Sequence, residues 1–121
     1  MMKRIKKTDP NLLLLIDELK KLSREAGTAI WRDIAERLEK PRRNWAEINL
    51  SKLERYAANG DVIVVPGKVL GAGDLSKKIT VAAYRFSASA SQKIVEAGGR
   101  MMSISELAKE NPDGSGIRIM R

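Results

Sequence analysis

Neither cysteine nor histidine occurs among the 121 residues of this chain. Their absence removes thiol nucleophiles, disulfides, ordinary zinc sites and imidazole general bases together. Any catalysis would have to rest on carboxylates, lysines and hydroxyls. Aromatic residues are scarce as well: Trp31, Trp45, Tyr56, Tyr84 and Phe86 are the whole set. That is too few for the multi-base stacking surface of a single-strand RNA binder. The longest purely apolar run, Leu12 to Ile16, is far shorter than the roughly 20 residues that span a bilayer, and no small-residue cleavage site follows it. The expectation is a soluble, intracellular protein with no membrane partner.

What the chain does have is positive charge. Lysine and arginine number 23 against 15 acidic residues, a formal net charge of +8. A polyanion is the natural counterpart, because neutralising phosphates relieves the self-repulsion and releases counterions condensed on a nucleic acid. Mere solubility needs less, since a net charge of about 2 to 8 is enough for a small domain. With 43 % hydrophobic residues the composition is that of a folded protein, and the length suits one domain.

Residues 1–10, MMKRIKKTDP, set Lys3, Arg4, Lys6 and Lys7 against Asp9 alone, and read as a basic N-terminal arm. Residues 11–121 then form one domain: a helical hairpin over about 11–40 and a mixed strand and helix part over about 45–121. Asn11 is a candidate cap for a helix to about Ala26, with Leu12, Leu15, Ile16, Leu19 and Leu22 on its inner face and Gly27 as its stop. Thr28 is a candidate cap for a second helix to about Lys40, ended by Pro41. Such a hairpin also admits a helix-turn-helix reading, in which Arg32, Arg37 and Lys40 face DNA. Ile30 and Trp31, however, stand where base-reading side chains belong.

Beyond Arg42 and Arg43, the pattern predicts a strand over 45–50, a short helix over 51–58 and strands over 61–65 and 79–86. The unbroken run Val62–Val65 suits a strand buried on both faces. Ser89 or Ser91 can cap a further helix ending at Gly98 and Gly99, followed by a short strand over 100–102. Ser103 and Glu106 have capping-box spacing for a last helix to about Glu110, and a final alternating segment follows from 117 to 121.

Between the two central strands lies PGKVLGAGDLSKK, residues 66–78. Gly67, Gly71 and Gly73 would shape this loop, allow close backbone approach and expose amides to an anion, while Lys68, Lys77 and Lys78 add charge. The bland alternative is a surface loop whose glycines serve only turn chemistry. Nucleotide-site motifs fail here. A Walker loop requires glycine at Val62 and a hydroxyl residue at Val69, and the dinucleotide fingerprint requires glycine or alanine at Ser76. The closest acidic pairs, Asp17 with Glu18 and Glu36 with Glu39, sit among Lys20, Lys21, Arg37 and Lys40, as salt-bridged helix faces do. No cofactor, metal, small-molecule substrate or enzymatic activity is expected.

The segments VPGKVLGAGDL (65–75), KKITVAAYRFSASA (77–90) and KIVEAGG (93–99), together with the opening stretch 8–43, resemble the archaeal and eukaryotic large-subunit ribosomal protein family called L-eighteen-e. The C-terminal half of that family is related to bacterial ribosomal protein L-fifteen. The length, 121 residues closing on GSGIRIMR, is more similar to the archaeal form. The resemblance implies an α/β fold with N-terminal helices followed by an irregular ββα superhelix. It also implies a structural, non-catalytic constituent of the cytoplasmic large subunit that contacts large-subunit rRNA and neighbouring ribosomal proteins. Double-stranded RNA is gripped mainly through phosphates and shape, which distributed cations can do. The RNA-binding candidates are Lys3, Arg4, Lys6, Lys7, Arg42, Arg43, Lys68, Lys77, Lys78, Arg85 and Lys93. A DNA-binding protein using the helical hairpin is the alternative.

Overall fold

A computed structural model describes residues 9–121. The arm candidates Lys3, Arg4, Lys6 and Lys7 lie outside the described residues. Helix α1 (Pro10–Ala26) begins two residues earlier than expected, because Asp9 and not Asn11 is its cap: the Asp9 carboxylate accepts from the Asn11 amide at 2.9 Å. Pro10 takes the first helical position, where a missing N–H costs nothing. Gly27 closes the helix in the left-handed conformation (φ 69°). Helix α2 (Ile30–Glu39) has Ala29 at its cap position, and the expected Thr28 cap is not formed. The Thr28 carbonyl accepts from the Ser23 hydroxyl and its amide bonds the Ser23 carbonyl, so the turn itself holds the residue.

After a single 3-10 turn at Arg42–Asn44 come β1 (Ala46–Asn49), α3 (Leu50–Tyr56), β2 (Val62–Leu70), β3 (Thr80–Phe86), α4 (Ala88–Glu96), β4 (Arg100–Ser103), α5 (Ile104–Glu110) and β5 (Ile117–Ile119). Ser87, not Ser89 or Ser91, caps α4, accepting from the Ala90 amide at 3.1 Å. The capping box at Ser103 and Glu106 forms as its spacing predicts.

The strands build one sheet in the order β1-β2-β3-β4, and all of its pairings are parallel. β2 is its axis. One edge of β2 carries β3, and the other is shared end to end: β5 pairs Val62–Val64 and β1 pairs Gly67–Leu70. The expected strand over 61–65 is therefore too short, since β2 runs through Pro66 and Gly67. Proline lacks a donor, but the register against β3 slips between Val65 and Lys68, and such an irregularity accommodates it.

Helices cover both faces, as a parallel sheet requires. On one side α1, α2 and α5 bury Leu12, Ile16, Leu19, Trp31, Ile34, Leu38, Ile104 and Leu107 against Val64, Ala82 and Met102. On the other, α3 and α4 bury Leu50, Leu53, Ala90 and Ile94 against Ile63, Val65, Val81 and Ala83. Alternate residues of the Val62–Val65 run thus enter two cores, which explains why the run is unbroken. The class is α/β. The pairings describe a single open parallel sheet with helices on both faces, rather than a superhelix.

The connection between β2 and β3 is the largest departure from expectation. A loop joining antiparallel neighbours could stay at one end of the sheet, but these strands are parallel, with Val62 opposite Thr80. The chain must therefore return from Leu70 to the level of Val62, about 26 Å at the usual strand rise. Nine residues coiled as a helix would cover only about 14 Å, so residues 71–79 run back as an extended strap. The strap lies between α3 and α4: a Cβ on Gly71 would overlap Ser89, and one on Gly73 would meet the Ser51 Cβ at 2.7 Å.

Candidate nucleic-acid interface

Lys77 and Lys93 hold the strap in place. Lys77 Nζ donates to the carbonyl oxygens of Glu54 and of Ala57, the latter at 2.6 Å, and so satisfies orphan carbonyls at the end of α3. Ser76 adds its amide (2.9 Å) and hydroxyl (2.8 Å) to the Glu54 carboxylate, and these bonds hold that carboxyl below its ordinary pKa. Lys93 on α4 reaches the carbonyls of Gly71 (3.0 Å) and Gly73 (2.8 Å). Two lysines from opposite ends of the strap's groove thus engage main-chain oxygens rather than face outward.

The three glycines have internal duties as well. A Cβ on Gly67 would overlap the Ala46 carbonyl across the β1–β2 pairing, and Gly67 is buried. The close approach foreseen for these residues is made to the protein's own backbone and side chains.

Lys78 is exposed at the start of β3, with its amide bonded to Asn59 Oδ1 at 2.8 Å. Arg85 is exposed near the other end of the same strand, about 23 Å away at the strand rise. The candidates are therefore not one patch. Arg85 is opposite Lys68 in the β2–β3 register, and the two residues border a shallow depression of about 220 Å³ with Leu70, Phe86 and Ser87. Arg42 joins this carboxyl end of the sheet from the 3-10 turn, in which Arg43 is exposed.

Aromatic stacking and charge fix Arg42 there. Its guanidinium carbon is 4.9 Å from the Trp45 ring centroid and 5.7 Å from that of Tyr84, and these two rings meet edge to face at 5.1 Å. Arg85 approaches the Tyr84 ring at 5.4 Å. The Tyr84 hydroxyl donates to Asp9 Oδ2 at 2.6 Å, with Arg42 3.8 Å from the same oxygen. That hydrogen bond leads the causes that lower the Asp9 pKa, while burial leads those that raise the pKa of Tyr84. The start of α1 is thereby tied to the sheet beside Arg42, Arg85 and Lys68. Sequence reasoning missed Tyr84, Trp45 and Asp9 as the residues that assemble this end. The scarcity of aromatics, two of which meet here, was the available signal.

The DNA-reading alternative finds little in α2. Arg32 pairs with Glu36 (3.1 Å) and Arg37 with Asp33 (2.9 Å) along the helix itself. Trp31 and Ile34 are fully buried. Among the described residues, no group of histidine, cysteine, aspartate or glutamate side chains could hold a metal ion, and no helix is long and apolar enough to cross a membrane.

Comparison with known proteins agrees with the resemblance of the motifs. The family model described as "Ribosomal protein 60S L18 and 50S L18e" matches residues 1–121. Proteins named large ribosomal subunit protein eL18 are close relatives. The one from Methanoregula boonei is 54 % identical over 121 residues, all of both chains. The one from Thermoplasma acidophilum is 55 % identical over 106 residues, 88 % of each chain. The one from Archaeoglobus fulgidus is 53 % identical over 116 residues, 96 % of this chain and 99 % of that one. An α/β chain with cations gathered at the carboxyl end of its sheet, matched from end to end, belongs to the ribosomal protein family of 60S L18 and 50S L18e, a family of structural proteins and not of enzymes.

Proposed function

We propose that the chain is a structural constituent of the large ribosomal subunit, in the cytoplasm, where it binds large-subunit rRNA through phosphate contacts and lies against neighbouring ribosomal proteins. The observation that carries this reading is the pairing of Lys68 with Arg85 in register, with Arg42 over the same Tyr84 ring that Arg85 approaches, at one end of the sheet. Three cations on three segments can bridge RNA strands and favour their packed arrangement by binding it preferentially. Lys3, Arg4, Lys6 and Lys7 would add further phosphate contacts. Lys78 would make a separate contact at the opposite end. Lys77 and Lys93 would contribute by fixing the strap.

Filter binding of the full chain to deproteinised archaeal large-subunit rRNA, titrated with salt, tests the reading. A steep fall of log affinity with log salt is expected. A flat slope, or stronger binding to duplex DNA, would overturn it.

A further inference from the structure

The connections after β3 and β4 leave the sheet on opposite faces. Ser87 leads into α4, whose Ala90 and Ile94 join one core, and Ser103 leads into α5, whose Ile104, Leu107 and Ala108 join the other. Where neighbouring parallel strands part in this way, their carboxyl ends are left uncovered, and a crevice opens that α/β proteins use for ligands. Here that crevice is a depression of about 410 Å³ between the ends of β3 and β4 and the side of α4.

Its lining is informative. Tyr84, Phe86, Met101 and Met102 give apolar and aromatic wall, Ser91 and Ser103 supply hydroxyls, Arg85 brings a cation, and no carboxylate takes part. Met101 remains 37 % exposed. Lys68 stands opposite Arg85 in the sheet register, on the β2 side. A largely apolar depression with a few hydroxyls and a cationic border suits a group with an apolar face, a hydrogen-bonding edge and an attached anion. A nucleotide is such a group; an apolar protein side chain would leave the arginine unused.

Resting on the RNA-binding reading above, we propose that this crevice seats the base of one unpaired RNA nucleotide, with Arg85 and Lys68 holding its flanking phosphates. The base lies against Phe86 and Met101. This gives a protein poor in aromatics one point of base contact within an otherwise phosphate-based grip.

The test uses the full chain and deproteinised archaeal large-subunit rRNA. Ultraviolet cross-linking with mass spectrometry is expected to place a nucleotide on Tyr84, Phe86 or Met101. Phe86→Ala, which removes a ring the base lies against, should weaken binding about tenfold while leaving the salt slope unchanged, because it removes base stacking and spares the phosphate grip. Phe86→Leu, which keeps apolar bulk, serves if Phe86→Ala fails to fold, and should weaken binding severalfold. Native-like affinity in a folded variant, or cross-links that spare all three residues, would overturn the base site. So would cross-links in intact subunits joining the crevice to another protein. In each case a steep salt slope for the native chain leaves the phosphate-binding reading standing, whereas a flat native slope sinks that reading first.

Discussion

Tyr84 and Asp9, 75 positions apart in the sequence, are joined by a hydrogen bond of 2.6 Å from the phenol to the carboxylate. The bond fastens the beginning of the first helix to the carboxyl-terminal part of β3, and it brings the basic end of the sheet to the start of the described chain.

The pH dependence of stability follows from this bond and two others. Asp9, Glu54 and Asp61 are all held below their ordinary values, by the Tyr84 hydroxyl, by the Ser76 amide and by the Ala58 amide respectively. A depressed folded value means that the unfolded chain takes up protons first as pH falls, so stability is full at neutral pH and declines on acidification below about pH 4. Tyr84 is shifted upward, chiefly by burial. Its contribution is full below about pH 10 and disappears as pH rises through the folded value. Thermal unfolding between about pH 2 and 11 should show a broad plateau with both flanks. In Tyr84→Phe, carbon-detected NMR titration should find the Asp9 carboxyl moved up toward its ordinary value; an unmoved Asp9 would refute the assigned cause.

Glycine substitutions should separate close approach from open turns. Gly67→Ala drives a methyl into the Ala46 carbonyl and Gly71→Ala into Ser89. Overpacking of this kind costs about 1 to 3 kcal/mol, with the backbone obstacle at Gly67 toward the upper end. Gly116→Ala meets nothing within 4 Å and bears only the strain of its positive φ of 75°, about 1 kcal/mol. Urea denaturation of the three variants should rank Gly67→Ala as the least stable.

Adjacent lysines should behave differently. Lys77→Met leaves the Glu54 and Ala57 carbonyls without their donor, a destabilisation of about 1 to 2 kcal/mol for half-buried hydrogen bonds from a charged group. Lys78→Met changes an exposed side chain and should stay within about 0.5 kcal/mol of the parent. Equal effects in chemical denaturation would contradict the anchoring role of Lys77.

RNA affinity should divide the cations in another way. Arg85→Ala and Lys68→Ala, removing neighbours in the β2–β3 register, should each reduce the salt slope by about 0.7 to 0.9, as expected when one fewer phosphate is neutralised. Lys77→Met should leave the slope nearly unchanged at a temperature where it is folded. A slope lowered as much by Lys77→Met as by Arg85→Ala would return the strap to the RNA surface.

Much of the local structure was legible because it depends on neighbours in the chain. Leu12, Ile16 and Leu19 repeat at helical spacing, Gly27 stops their helix, and Ser103 with Glu106 builds a capping box without help from afar. The motifs of the strap also carried the family resemblance, as the end-to-end match confirms. Strand direction was not legible. Val62–Val65 reads as a buried strand in any sheet, and nothing local requires it to lie parallel to β3 or to continue through Pro66.

By itself, the sequence determined the class of fold, the two apolar faces, the net positive charge and the exclusion of thiol and imidazole chemistry, since these follow from residue type and short-range spacing. Tertiary structure alone decided what the glycines and lysines of residues 66–78 do. Parallel pairing of β2 with β3 forces that segment back across the sheet between two helices, so Gly67, Gly71 and Gly73 make room for other parts of the chain and Lys77 and Lys93 bind its carbonyls. The cations Arg42, Lys68 and Arg85 meet at one end because a sheet sets side by side residues that are far apart along the backbone.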